Sequence, residues 1–209
     1  MDRIKPGAQI TERMRNLLRP EQEARRTLWF ALHFFFVALT LAAVEVQIEG
    51  ANGWASNLPT WRTTSPALTW LSGGRPLTGY HIALTVLLLL LLHWPVQFAH
   101  WGLVQELKVL FAYLNLAVVW DFLWFVINPN FGLGRYDAAH VWWFKHWFLG
   151  LPVDYYVGLA LAVAARTARV WAGHERPRRV LREMALFYLV VAVLVLATCL
   201  AARALHHPR

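Results

Sequence analysis

Asp121 lies inside a long apolar run, and Asn128 follows it seven residues later. A carboxylate in such a segment is costly to remove from water, so it usually has a partner or a function. In a helix this spacing places Asp121 and Asn128 on nearly the same face, with Trp124 between them. The sequence therefore predicts a polar site on this helix, centred on Asp121.

Four other segments carry ionisable side chains to the level that we expect for Asp121 in the membrane, and one of them carries Asp154. Glu45 and Glu49 end one apolar run and share a face if that run is helical. His81 begins another run, and His140 and His146 lie in an aromatic loop. Carboxylates and imidazoles suit divalent zinc, manganese or iron. The predicted metal ligands are Asp121, Glu45, Glu49, His81, His140 and His146.

The same groups predict a membrane-embedded enzyme that acts on a lipid or isoprenoid-like substrate, with hydrolysis and oxidation both open. Arg62 and Arg135 lie in loops where a guanidinium would receive an anionic headgroup. The predicted catalytic residues are Asp121, Glu45 and Glu49. The predicted substrate-binding residues are Arg62, Arg135, Trp124 and Asn128.

Each polar group also has a structural interpretation. Acids such as Glu45 and Glu49 cost little at the end of a span, and Asp154 suits a helix N-terminus. Asp121 would then form a buried ion pair with Arg62 or Arg135. The alternative function is therefore a non-enzymatic membrane subunit or a lipid-binding protein. Whether the chain is an enzyme stays open on the sequence.

A second polar set lies toward the other side of the predicted membrane. His93, Gln97 and His100 are spaced to share one helical face, and His33 lies at similar depth in the first apolar run. Two histidines from different helices are able to hold a haem, although hydrogen bonds between helices are the favoured explanation. The second alternative is therefore a haem-binding electron carrier.

Five apolar segments must position these groups. The 209-residue chain is 58% hydrophobic, only 15% charged and rich in tryptophan, with 12 residues. Apolar residues in long runs are typical of an integral membrane protein. The predicted fold is all-α, a bundle of five transmembrane helices over residues 28–48, 79–101, 109–128, 151–165 and 185–204.

The predicted bundle occupies residues 28–204, between a leader and a short tail. The leader, residues 1–27, is basic and predicts either an interfacial amphipathic helix or a partly ordered tail. The tail covers residues 205–209. The first span comes after a long charged segment, and no small-residue cleavage site comes after the span. This pattern predicts a retained anchor.

The basic residues predict the orientation. The leader, Lys108 and the loop 166–182 hold 14 of the 20 lysines and arginines, on one side of the bundle. The positive-inside rule then places the N-terminus in the cytoplasm and the C-terminus outside, with the Asp121 site in the outer leaflet. We expect a multi-pass protein of the plasma membrane, or of the inner membrane in a bacterium.

The net charge of +8 comes from residues that flank the apolar segments. Membrane lipids with anionic headgroups are therefore the expected partner, and nucleic acid is not. The sequence lacks the phosphate-loop, dinucleotide-binding, zinc-protease, nucleophile-elbow and CxxC motifs. Its single cysteine, Cys199, excludes an intrachain disulfide.

Overall fold

The computed structural model describes residues 6–98 and 100–206, and it describes the side chains of residues 20–70, 72–98 and 100–205. The chain is mostly helical, which confirms the all-α prediction. The helices are α1 (Pro6–Glu49), α2 (Pro66–Leu71), α3 (Gly79–His93), α4 (Leu103–Ile127), α5 (Val153–Trp171) and α6 (Pro177–His206). Short 3-10 helices cover Trp94–Phe98 and Leu133–Arg135, and β1 (Trp147–Phe148) pairs antiparallel with β2 (Leu151–Pro152).

Four helices are long and apolar enough to cross a membrane, which indicates a membrane protein. They are Pro20–Glu49, Gly79–Phe98, Leu103–Ile127 and Pro177–Leu205. Their outward faces are apolar: Leu90 in α3 is 64% exposed and Leu196 in α6 is 59% exposed. Leucines on the outside suit a protein whose solvent is lipid, because lipid tails are as apolar as leucine.

The fifth predicted span is not confirmed. α5 is 19 residues long and carries Asp154, Arg166 and Arg169, too many charges to join the four apolar helices. It also ends at Trp171, beyond the predicted end at 165. Arg166 and Arg169, which the sequence assigns to a basic loop, lie in its last turns and are buried.

The first helix is longer than predicted. α1 runs without a break from Pro6 to Glu49, so the leader and the first span form one helix, with Pro20 inside it. Side chains before Pro20 lie outside the described residues, and so do residues 1–5 and 207–209. The interfacial character of the leader and the division into leader, bundle and tail stay predictions.

α3 ends at His93, earlier than the predicted end at 101, and a 3-10 turn follows it. Pro95 explains the difference, because proline lacks an N–H donor and disfavours the α conformation of the residue before it. The sequence predicted that His93, Gln97 and His100 share one α-helical face. This prediction is wrong, because the α-helix ends at His93.

α4 is the central helix and packs against α1, α3, α5 and α6. Ala31, Ala38 and Ala42 form a fully buried stripe on α1, and small residues of this kind let membrane helices approach closely. On α5, a Cβ added to Gly158 would lie 2.9 Å from Val118 of α4. This tight packing fixes how the polar groups of α1, α4 and α5 face one another.

Candidate functional site

Three carboxylates, two buried and one partly buried, lie near one another where α1 and α4 end and α3 and α5 begin. Glu45 and Glu49, in the last turns of α1, are 9% and 8% exposed. Asp121, six residues before the end of α4, lies close enough to interact electrostatically with both. We call Glu45, Glu49 and Asp121 the carboxylate cluster. The structure therefore brings together the three predicted catalytic residues.

Each cluster carboxylate accepts a hydrogen bond from a different segment. The Tyr80 hydroxyl in α3 donates to Glu45 Oε1 over 3.1 Å, and the Ala55 amide donates to Glu49 Oε1 over 2.5 Å. The Tyr155 hydroxyl in α5 donates to Asp121 Oδ2. The second oxygens of Glu45 and Asp121 accept no hydrogen bond from the described residues.

Arg75, the basic side chain that acts on the cluster, is bonded to other groups. Arg75 is the guanidinium that acts on Asp121 electrostatically. However, its Nη2 donates to Asp154 Oδ2 over 2.9 Å and its Nε donates to the Ser72 carbonyl over 2.7 Å. Within the described side chains, no lysine or arginine forms a direct ion pair with a cluster carboxylate.

The loop 50–78 folds over the cluster through a stack of rings around Arg75. The Arg75 guanidinium lies 4.3 Å from the Trp54 ring centre and 5.2 Å from that of Phe144, both within cation–π range. Trp54 in turn stacks on His81, with 4.1 Å between ring centres. Its indole N–H donates to the Pro76 carbonyl over 2.9 Å. Ala55, next to Trp54, bonds to Glu49, so the stack lies beside the cluster.

Two further contacts hold the loop on the bundle. The fully buried side chain of Asn128 donates to the Gly50 carbonyl over 2.8 Å and so ties α4 to the end of α1. At Gly53, an added Cβ would lie 2.0 Å from the Trp143 ring, so only glycine allows this approach. The predicted substrate-binding residue Asn128 therefore has a structural role.

Trp124, another predicted substrate-binding residue, belongs to the aromatic core below the loop. It is 3% exposed, and its ring centre lies 5.0 Å from those of Phe125 and Phe131. Tyr136 closes the same core, and burial raises the pKa of its hydroxyl. The indole N–H of Trp124 and the hydroxyl of Tyr136 have no hydrogen-bond partner among the described residues. A substrate would not reach Trp124 in this arrangement.

The two predicted arginines do not contact the cluster. Arg62 Nη2 donates to the Ala55 and Ser56 carbonyls over 2.6 and 2.8 Å, which stabilises the loop. Arg135 is exposed, and its Nη1 donates to the Asn130 carbonyl over 3.0 Å. The expected ion pair of Asp121 with Arg62 or Arg135 is therefore absent from the described residues, where Tyr155 is the partner of Asp121.

The histidines do not complete a metal site. His81 contacts Thr78 Oγ1 over 2.7 Å through Nδ1, and His140 and His146 are exposed. His140 hydrogen-bonds to Asp137 over 2.8 Å, which lowers the pKa of the Asp137 carboxyl. Across the described part of the chain, no group of three or more His, Cys, Asp or Glu is arranged to hold a metal ion.

Comparisons with known proteins add no assignment. No protein-family model, curated protein or solved structure matches this chain. The function therefore has to be argued from the geometry alone.

The histidines of the predicted haem site differ in their surroundings. Both ring nitrogens of His93 are engaged, with the Leu89 carbonyl at 2.6 Å and Glu106 Oε2 at 3.2 Å. His33 and His100 are exposed. The hydrogen bonds of His93 agree with the structural interpretation of this residue. Haem binding stays an untested prediction.

Sequence reasoning missed three residues of this end of the bundle: Arg75, Tyr80 and Tyr155. Tyr80 precedes His81, and Tyr155 follows Asp154, so both lie in first helical turns beside residues that the sequence did single out. That position was the available signal for the two tyrosines. Arg75 had none, because its place depends on how the loop folds.

Proposed function

We propose that this chain is a five-span membrane protein that binds a divalent cation at the carboxylate cluster and acts there on a lipid-like substrate. One observation carries the proposal. Glu45 and Glu49, buried at the end of α1, lie near the partly buried Asp121 of α4, without a directly bonded arginine or lysine in the described structure. Buried negative charge of this kind requires a cation or protons.

The contacts of α5 support its role as the fifth span. In its first turn Tyr155 contacts Asp121 at the carboxylate cluster, and in its last turn Arg169 contacts Glu175, next to the start of α6. A helix of 19 residues is about 28 Å long, close to the thickness of the hydrocarbon core. Five spans place the termini on opposite sides.

The orientation predicts the outcome of reporter fusions. Because most lysines and arginines lie on the side of the N-terminus, fusions after residues 104 and 175 should report the cytoplasm. Fusions after residues 65 and 140 should report the outside. A cytoplasmic signal from the fusion after 140 would contradict the orientation and would place the cluster in the inner leaflet.

The hydrogen bonds of the cluster favour cation binding. Carboxylates that bind metals are usually held by outer hydrogen bonds, as Tyr80 holds Glu45 and Tyr155 holds Asp121. The remaining oxygens are hard ligands that suit manganese, iron or zinc. The cation would act as a Lewis acid on a polar group of the substrate. Because no coordination group is preformed, the side chains have to rotate when the ion binds.

A second candidate is a non-enzymatic membrane subunit or lipid-binding protein. The observation in its favour is that each cluster carboxylate already accepts a hydrogen bond, from Tyr80, Ala55 or Tyr155. In this case the acids hold protons and the hydrogen bonds serve to join α1, α3, α4 and α5.

Thermal unfolding with added metal separates the two candidates. We expect MnCl₂ or ZnCl₂ to raise the melting temperature of chelator-treated protein, because an ion that binds only the folded state stabilises it. At a hundredfold excess over the dissociation constant the gain is about 2.7 kcal/mol. KCl at equal ionic strength is the control. If neither metal shifts the melting temperature, the non-enzymatic candidate is favoured.

A further inference from the structure

A cavity of about 420 Å³ lies at the end of the bundle opposite the carboxylate cluster. It is formed by the start of the span in α1, the start of α4, the end of α5 and the start of α6. We call it the arginine pocket, because Arg166, Arg169 and Arg179 line it. Its size falls within the range of small-molecule sites. It is independent of the proposed function.

The deep wall of the pocket is a network of ion pairs. Arg166 bonds to Glu175 and Glu183, each over 2.5 Å, and Arg169 bonds to Glu175. Arg179 bonds to Glu183 over 2.8 Å and lies 3.4 Å from Glu23. Arg166 and Arg169 are only 6% and 7% exposed. These contacts hold the guanidinium groups in fixed positions.

Positive charge remains after this pairing. The lining includes Arg26 and Lys108, both exposed, and neither forms an ion pair with any described side chain. Counting the charged lining residues together with Glu175, which pairs with two of them, five are basic and three are acidic. In addition, the buried Arg169 Nε has no hydrogen-bond partner among the described residues. A buried donor without a partner is costly, so it marks a place for an acceptor.

The other wall of the pocket is apolar. Phe30, Phe111 and Phe187 line it. The ring centre of Phe187 lies 5.5 Å from that of Phe30 and 5.3 Å from that of Phe111. Phe30 is 43% exposed, so part of this wall faces outward between the helices. A free inorganic anion would leave this surface uncovered, whereas an acyl chain would cover it.

We propose that the arginine pocket binds an anionic phospholipid. Its phosphate accepts from Arg169 Nε and is balanced by Lys108 and Arg26 at the mouth, and the start of its acyl chain lies against Phe30 and Phe111. Basic pockets between membrane helices are suited to anionic headgroups.

Native mass spectrometry of the full chain in a neutral detergent tests this site. The probes are dioleoyl phosphatidylglycerol, dioleoyl phosphatidylcholine and inorganic phosphate at equal concentrations. The test variants are Lys108→Gln and Arg26→Gln, which leave no carboxylate without its partner. Lys145→Gln is the matched control, because Lys145 is an exposed lysine of the other end of the bundle.

We expect a saturable phosphatidylglycerol adduct on the wild-type protein, weakened about fivefold by Lys108→Gln or Arg26→Gln and unchanged by Lys145→Gln. Phosphatidylcholine and inorganic phosphate should bind at least fivefold more weakly. Equal binding of both lipids, equal weakening by the control variant, or phosphate binding as strong as lipid binding would each overturn the proposal.

Discussion

Asp121→Asn is expected to remain folded and to lose its stabilisation by Mn²⁺ or Zn²⁺. The amide is similar in shape to the carboxylate, and its oxygen still accepts from the Tyr155 hydroxyl. The substitution also removes an acid that, when ionised, repels Glu45 and Glu49, so the melting temperature without metal should stay the same or rise. Because an amide is a poor ligand, the affinity for the ion should fall at least about tenfold, or ~1.4 kcal/mol. Thermal unfolding with and without metal measures both effects.

Asp137→Asn is the matched control for this prediction. Asp137 lies at the same end of the bundle but is half exposed and bonds to His140, so its response to metal should equal that of the wild type. A loss of about 3–5 kcal/mol in Asp121→Asn would instead indicate a buried ion pair broken on one side. That result would assign Asp121 to structure.

Glu175→Gln is expected to destabilise the folded protein by about 3–5 kcal/mol. Glu175 is the shared partner of Arg166 and Arg169, and the side chains of both arginines are 8% exposed. Losing its charge leaves one guanidinium with Glu183 alone and the other without an acid, and both guanidinium groups are largely buried. Denaturant unfolding in detergent measures the change in the free energy of unfolding.

Glu21→Gln is the control for Glu175→Gln. Glu21 is an exposed glutamate in α1, so the same change should alter the free energy of unfolding by less than about 0.5 kcal/mol. If Glu175→Gln also changed it by so little, the ion pairs around Arg166 would not hold α5 to α6. The charge balance assigned to the arginine pocket would then be wrong as well.

The helical architecture could be predicted because apolar runs reveal spans directly. The ends of helices were harder to predict, for different physical reasons. α3 ends at His93 because Pro95 disrupts it, although leucines precede and aromatic residues follow. α5 continues through Arg166 and Arg169 because Glu175 and Glu183 neutralise them after the chain has folded. The local sequence shows the two arginines without the acids that pair with them in the fold, and it therefore predicts a loop.

The carboxylate cluster could be predicted from depth alone. Counting residues from the ends of the spans placed Glu45, Glu49 and Asp121 at one level, and the structure brings them together. Depth does not reveal which side chains face one another across helices. Tyr155 was therefore missed as the partner of Asp121, and exposed His140 was included although it bonds only to its neighbour Asp137.

The metal content of the purified protein tests the central claim most directly. We expect about one divalent ion per wild-type chain after reloading and desalting, the same content in Asp137→Asn, and about a tenth of it in Asp121→Asn. Elemental mass spectrometry measures all three. A wild-type protein that retains no more metal than Asp121→Asn would contradict the claim that the carboxylate cluster binds a cation.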